Sequence, residues 1–545
     1  MADSDKMLKE ETEEGSPFVE KTHIKSSDDL IEELTRAKTW KYLLLVFSIS
    51  LCWTASPATV YITSFAGIDP TVNDTWTCVS DKCFNLTSKN SSLLDQYPCD
   101  ITEKVDGKDQ LVFGPSDIEW DLAHTSFSVE FDLYCDVGSR QSQKTLLSSM
   151  YFPGALSGLL MGGYLFDHVG RRKSAMATIV LSFIVHLGGT FCHDFIFLLT
   201  IRFLQGFTEF LATTGLTILQ FELMTANYRN LINGSGVGMW ALGYPVVAAI
   251  GYFIRDWHYM FLATGILGLV CRCHVFFFII ESPRFYLVNN DVKTAKKTFE
   301  ALAKYTTAEL DLDNTEIVDV GKAEERDQSL KQQLRELIMY PSLLVETLLL
   351  MFLWFFIAMF FYGYNFGWGK LLPDRYLGYL MAGFGEVLAA CLSVPVIHFL
   401  GRRRASMIYH VLAALIFLLL IPDVDLPGLG ENWKLESVFS LFGITFVSGC
   451  FSVIYLWTGE VAPTSHRGFA FGVGSGSARI GSFFGPYIFN NLAPATSRAV
   501  PFLFLAAASF LCALAAFFLV ETGDKEIPCV AGDVATRRKG YKYRL

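Results

Sequence analysis

The stretch "GYLFDHVGRRK" (Gly163–Lys173) returns as "PVIHFLGRRR" (Pro395–Arg404), with long apolar runs on either side of each copy. Two further pairs keep a similar offset. Glu222 with Arg229 answers to Glu460 with Arg467, and "IIESPR" (Ile279–Arg284) answers to "LVETGD" (Leu519–Asp524). Three motifs recurring at one separation, roughly 230 to 240 residues, mark a duplicated chain whose halves are related by an internal repeat.

The composition says in what medium the halves fold. Of 545 residues, 52% are hydrophobic and only 18% charged, which is too apolar for an ordinary soluble protein of this size. A spanning helix needs about 20 mostly apolar residues. Twelve such segments are expected, near 42–66, 145–166, 175–192, 195–221, 236–254, 259–280, 343–364, 376–399, 405–421, 436–458, 468–490 and 499–520. The expected fold is therefore an all-α membrane protein of twelve transmembrane helices in two pseudo-symmetric six-helix bundles. The expected division is a tail 1–41, a first bundle 42–284, a polar linker 285–340 with short helices, a second bundle 341–521 and a tail 522–545.

Basic residues in short loops resist translocation, so they fix orientation. "GRRKS", "YRN", "GRRRA" and the terminal "RRKGYKYR" fall on one side if the spans alternate, and this places both termini in the cytosol. The acidic first 25 residues have no apolar core, so the first span is expected to direct insertion itself. The net charge of −10, carried mainly by tails and loops, argues against a nucleic acid partner.

The segment 67–144 then lies outside. It holds sequons at Asn73, Asn85 and Asn90 and four cysteines, Cys78, Cys83, Cys99 and Cys135. Glycans and two disulfides, with three possible connectivities, are expected there. A sequon at Asn233 falls on the cytosolic side and is expected to stay unmodified, and the other cysteines read as core residues.

Arg171, Arg172, Arg402 and Arg403 end helices at the cytosolic face, within reach of Asp167, Glu222, Glu281 and Glu460. Such pairs, with Arg229, Arg284 and Arg467 completing the set, are expected to latch the two bundles together in one state and release in another. The second copy has His398 where the first has Asp167, so the two latches are expected to be electrostatically unequal.

Charges inside spans face a cavity or a partner, since exposure to lipid at the centre costs at least about 2.5–3.5 kcal/mol. Arg202 and Glu209 in span 4 stand seven residues apart, nearly on one helix face, and are read as each other's partners or as contacts to substrate. Glu386 in span 8 and Arg479 in span 11 are the other pair. Small residues beside both allow close helix approach, and Glu386 is the expected counter-charge of Arg479. Aromatics of spans 7, 8 and 10 surround them: Trp354, Phe355, Phe361, Tyr362, Tyr364, Tyr376, Tyr379, Phe451, Tyr455 and Trp457, with Ser452 beside Phe451.

"GYLFDHVGRRK", "RFLQG" (Arg202–Gly206), "ESPR", "YLWTGEVAPTSHRG" (Tyr455–Gly468) and the cysteine-bearing outer loop together resemble the organic cation, organic anion and carnitine transporters, solute carrier family 22 of the major facilitator superfamily. The resemblance implies movement of small organic ions across the plasma membrane by alternating access. It also implies a cavity wall at Trp354 and Tyr362, an acid at the place of Glu386 as in cation and carnitine carriers, and a base at the place of Arg479 as in anion and carnitine carriers. Span 1 departs from the carnitine carriers, having Cys52 near the place of a polar asparagine, which weakens the case for sodium coupling.

The expected function is transport of organic anions or carnitine-like zwitterions. The alternatives are a carrier of organic cations, a non-transporting receptor that keeps the fold, and a sugar porter. No enzymatic motif and no cofactor or metal site is expected; the expected partners are membrane lipid and a small organic ion.

Overall fold

The computed structural model describes residues 23–36, 40–69, 75–78, 102–105, 108–111, 118–121, 124–134, 139–225, 228–308, 310–312, 315–318, 330–371, 374–422, 435–463, 466–497, 499–523, 532 and 534. Asn73, Asn85, Asn90, Cys83, Cys99 and Cys135 lie outside the described residues, as does the side chain of Cys78, and with them the glycan and disulfide expectations.

Span 1 runs Trp40–Ala66 and tightens into a 3-10 turn at Ile49–Thr54, just before Pro57, which has no N–H to give the ladder. Spans 2 to 6 are Tyr151–Val169, Arg171–Thr190, Phe195–Glu222, Arg229–Phe253 and Trp257–Phe277. Asp194 and Asp256 cap spans 4 and 6, each carboxylate accepting a backbone N–H of the first turn at 2.8 and 2.9 Å. Span 7 is Pro341–Leu371. The helix Arg375–Leu419 contains spans 8 and 9, broken at Gly401 with φ 76°. Spans 10, 11 and 12 are Leu435–Val461, Arg467–Tyr487 and Ala499–Phe518.

Among the described residues, nine helices are long and apolar enough to cross a bilayer on length and composition. The helix Arg375–Leu419 makes two of the passes, and spans 2 and 11, diluted by motif charges or small residues, complete the twelve. Large apolar side chains such as Leu160, Phe253, Phe277, Val394 and Phe399 point outward, as they do where the surrounding solvent is lipid.

The halves meet where span 5 packs on span 8 and span 2 on span 11. They are sealed at the end that carries the long loop. Tyr379 donates to Ser64 at 2.8 Å, Arg375 to the Ser64 carbonyl at 3.3 Å, Gln141 to the Asn490 carbonyl at 3.1 Å and Asn491 to Ser142 at 2.8 Å. Tyr376 and Tyr379, expected in the central cavity, belong to this seal, with Phe65 packed against both.

At the opposite end, Ser27–Arg36 buries Leu30, Ile31 and Leu34 in one apolar cluster with Ala295, Phe299 and Leu302 of the helix Val292–Ala303. The strand His23–Ser26 pairs in parallel with Thr315–Val318, and Arg284 donates to Asp28. The described parts of the tail and linker thus form a small layer under the first bundle.

Candidate functional site

The repeated motifs build the same device twice. Gly170 (φ 105°) and Gly401 (φ 76°) turn the chain in the left-handed region that glycine adopts without strain. The helix that follows each one begins with two arginines. Their backbone N–H groups are received by a carboxylate from the end of the sixth span of the same half. Glu281 accepts from Arg171 at 3.1 Å and Arg172 at 3.0 Å. Glu521 accepts from Arg402 at 2.9 Å and Arg403 at 3.0 Å. A carboxylate satisfies orphan donors and the positive end of the helix dipole together.

The arginine side chains complete the correspondence. Arg171 pairs with Glu222 at 3.0 Å and Arg402 with Glu460 at 2.6 Å. These contacts correct the expected latch across the bundles, because both pairs lie within one half. The reason is reach: each acid belongs to a helix packed beside its own motif. Asp167 touches Arg171 at 3.3 Å from an exposed position, and His398 is exposed, so the difference between them sits at the edge of two otherwise equal pairs. Arg284 answers to Asp28 of the tail. Arg467 opens span 11, and Arg229 opens span 5 with its side chain outside the described set.

At mid-depth, between the halves, Arg479 is 7% and Glu386 5% exposed. They do not pair: among the described residues no carboxylate lies within 4.0 Å of the Arg479 guanidinium. The guanidinium lies over the ring of Phe210 at 4.2 Å, donates to the Tyr362 hydroxyl at 3.4 Å and leaves its Nε without a partner. Glu386 instead accepts from Tyr244 at 3.5 Å. A run of contacting aromatic rings lies between the two charges: Tyr244 stacked on Tyr61 at 5.4 Å, Tyr61 tilted beside Tyr362 at 6.3 Å, and Tyr362 edge-on to Phe152 at 4.6 Å. The arrangement offers one cationic and one acidic end joined by polarisable walls.

Residues 118–528 match the family described as "Sugar (and other) transporter". The chain belongs to that family. Among its relatives, the human "Organic cation/carnitine transporter 2" is 25% identical over 430 residues, covering 78% of this chain and 74% of the relative. Mouse "Solute carrier family 22 member 4" is 27% identical over 426 residues, covering 75% and 72%. "Solute carrier family 22 member 6" of Pseudopleuronectes americanus is 25% identical over 475 residues, covering 85% and 81%. In fold, the chain is similar to the inward open xylose transporter XylE from E. coli, with a TM-score of 0.56 at 15% identity over 89% of this chain and 97% of that one. It is a transporter of the major facilitator superfamily and not an enzyme.

In this transporter Arg202 and Glu209 do not serve each other. Arg202 donates to the carbonyls of Leu147, Thr59 and Val60 and to Gln205, tying span 4 to span 1 and to the helix Ser139–Ser149 that leads into span 2. Glu209 receives Ser56 at 2.6 Å and pairs with Arg272 of span 6. Seven residues of separation place two side chains on one face, but two helical turns lie between them, and each finds a nearer partner on a neighbouring helix. Trp354 is fully buried, donates to Thr458 at 3.0 Å and packs against Gly474, so it holds spans 7, 10 and 11 together. Tyr364 and Trp457 likewise donate to the carbonyls of Ser440 and Val520. Phe451 contacts Phe361 at 5.1 Å, and Ser452 returns its hydroxyl to the Ser448 carbonyl at 3.3 Å. Of the cysteines expected in the core, Cys273 and Cys391 are exposed on the outer surface of their helices.

The sequence reading missed Tyr61, Phe152, Phe210, Tyr244 and Arg272, all from the first half. The four aromatics carry no local signal. Arg272 was the one candidate visible in principle, as a cation at the end of an apolar run, which calls for a buried acid.

Proposed function

We propose that this transporter moves small organic anions or carnitine-like zwitterions by alternating access. The observation that supports this reading most is Arg479, a buried guanidinium between the halves whose Nε is unpartnered and which, among the described residues, no carboxylate neutralises. A substrate carboxylate is the missing counter-charge, and a bidentate pair would add direction as well as energy. The site for a quaternary ammonium is the tyrosine cage of Tyr61 and Tyr244 beside Glu386, where each aromatic face contributes roughly 0.5–2 kcal/mol. Substrate contacts are therefore assigned to Arg479, Glu386, Tyr362, Tyr61, Tyr244 and Phe210, with Phe451 and Ser452 at the edge. Arg202, Glu209 and Trp354 are assigned to the framework.

The name of the human relative, "Organic cation/carnitine transporter 2", supports organic ions as the class and includes carnitine as well as cations. The motif pairs Arg171–Glu222 and Arg402–Glu460 are read as clamps that stiffen each half so that it moves as a body. The seal at the loop-bearing end makes this an arrangement closed to the outside, with that loop extracellular and both termini in the cytosol of a plasma-membrane protein.

Uptake into proteoliposomes of a zwitterion, a carboxylate anion and a quaternary cation tests the reading. Zwitterion or anion uptake that falls at least about tenfold in Arg479→Asp, with cations admitted instead, is the expected result. Selectivity unchanged by that substitution, or a preference for the cation with Arg479 intact, would overturn it. Tight binding with no counterflow would make the chain a receptor.

A further inference from the structure

Glu130, His193 and His258 meet at the rim of the first half, at the end that carries the long loop, away from the central site. They come from three separate connections. Glu130 ends the short helix Phe127–Glu130, His193 lies between spans 3 and 4, and His258 is in the first turn of span 6. His193 Nδ1 is 3.0 Å from Glu130 Oε1, and His258 Nε2 is 3.7 Å from Glu130 Oε2. One ligand atom from each residue lies within 4.8 Å of the other two, and the imidazole rings are 5.1 Å apart.

We propose that these three side chains form a zinc site. Two imidazoles and one carboxylate are a donor set that suits a borderline-soft divalent ion in a three-ligand site with one open position. They are a poor set for calcium or magnesium, which require more oxygens. Tetrahedral ligands about 2.1 Å from the ion stand about 3.4 Å apart, so the two imidazoles need to close on each other by at most about 1.4 Å while the contacts to Glu130 shift by only a few tenths of an ångström. His193, with a side chain 75% exposed, is free to make that movement.

The surroundings are those of a prepared site. The Asp256 carboxylate lies 3.1 Å from His258 Nδ1, where it accepts that nitrogen's N–H when the proton sits there and turns Nε2 toward Glu130. A carboxylate behind a histidine in this way fixes the ring and strengthens it as a ligand. In the present arrangement Nε2 is also 3.0 Å from the Cys192 carbonyl oxygen, a contact that the ion would replace. Trp257 Nε1 donates to Glu130 Oε2 at 2.9 Å and keeps the carboxylate from swinging away. The same segment is already seated at the start of span 6, since Thr125 donates its N–H to the Arg255 carbonyl at 2.9 Å and its hydroxyl accepts the Trp257 N–H at 3.1 Å. A bound ion would cross-link the end of the long loop to the connections around spans 3, 4 and 6.

The competing account is a metal-free cluster in which protonated histidines pair with Glu130 and Asp256. Titrating the purified full chain with zinc sulfate, and separately with magnesium, distinguishes the two. The expected result is a saturable rise of the unfolding midpoint with zinc and none with magnesium. Zinc affinity should fall about 10–100-fold in Asp256→Asn, which keeps the helix cap, and further than that in His193→Ala and Glu130→Gln. Cobalt(II) added to the parent should give the visible absorption of a four-coordinate ion, and His193→Ala should lose it. Because His193 is exposed, its replacement leaves the fold intact. A parent that shows no zinc-dependent shift, or a His193→Ala variant that keeps the full shift, would overturn the proposal.

Discussion

Glu209 of span 4 and Arg272 of span 6 form an ion pair in the middle of the first half, each side chain 1% exposed. Ser56 of span 1 adds its hydroxyl to the same carboxylate, and Arg272 also donates to the Cys52 carbonyl at 3.1 Å, so three spans are tied at one point. Removing one partner of such a pair leaves an uncompensated charge in a dry interior, at a cost of about 3–5 kcal/mol. Glu209→Ala should therefore unfold markedly earlier than the parent in detergent. The joint replacement Glu209→Leu with Arg272→Met should regain much of that loss. A single variant as stable as the parent would mean that the pair does not hold the half together.

Glu281 and Glu521 close equivalent helix starts, and the equivalence is measurable. Each carboxylate removed leaves first-turn N–H groups without an acceptor, so Glu281→Ala and Glu521→Ala should each lower stability by about 1–3 kcal/mol, with similar values in the two halves. Asp167→Asn should be close to neutral, because its contact with Arg171 is made from a largely solvated position. Unfolding midpoints of the three variants decide this. A large effect at Asp167 with none at Glu281 would reverse the assignment of roles.

The repeated motifs were legible because duplication leaves the same residues at the same offset, and the helices were legible because lipid demands long apolar runs. Arg479 and Glu386 stood out for the same energetic reason, being charges where charge is expensive. Their partners did not. Tyr61, Phe152, Phe210 and Tyr244 reach the site from the other half, and nothing in a helix's own sequence says which face a second bundle will cover. The error at Arg202 and Glu209 has the same origin. Each side chain made its contacts with another span, and those contacts are set by how the helices pack.

Close packing of helices rests on a few glycines. A Cβ at Gly206 would lie 1.9 Å from the Tyr151 carbonyl oxygen, and one at Gly481 would lie 2.0 Å from that of Phe355. Both obstacles are backbone, which cannot rotate aside, so spans 2 and 4, and 7 and 11, would have to separate. Gly206→Val and Gly481→Val should each cost about 3 kcal/mol or more, at or beyond the upper end of ordinary overpacking. Gly472, where a Cβ would meet nothing within 4 Å, is the control, and Gly472→Ala should be neutral or gain up to about 1 kcal/mol of helix propensity. Yield of folded, monodisperse protein and its unfolding midpoint check all three, and a Gly206→Val variant as stable as Gly472→Ala would show that the two spans are less closely packed than described.

Tyr379 closes the loop-bearing end through its hydroxyl, which donates to Ser64 at 2.8 Å, while its ring packs against Phe65 at 5.0 Å. The phenylalanine variant keeps the ring and loses the hydrogen bond between the halves. A net bond of this kind is worth about 0.5–1.5 kcal/mol, so Tyr379→Phe should raise the population open at that end by roughly two- to twelvefold. A cysteine introduced at Phe366, which packs on Tyr61 at 5.2 Å beneath the seal, reports that opening through its rate of reaction with a bulky maleimide. The rate should rise by the same factor in the Tyr379→Phe background, once the labelling of native cysteines in the matched parent is subtracted. An unchanged rate would mean that the ring packing and the Arg375–Ser64 contact carry the closure, and Arg375→Gln would then be the variant that opens it.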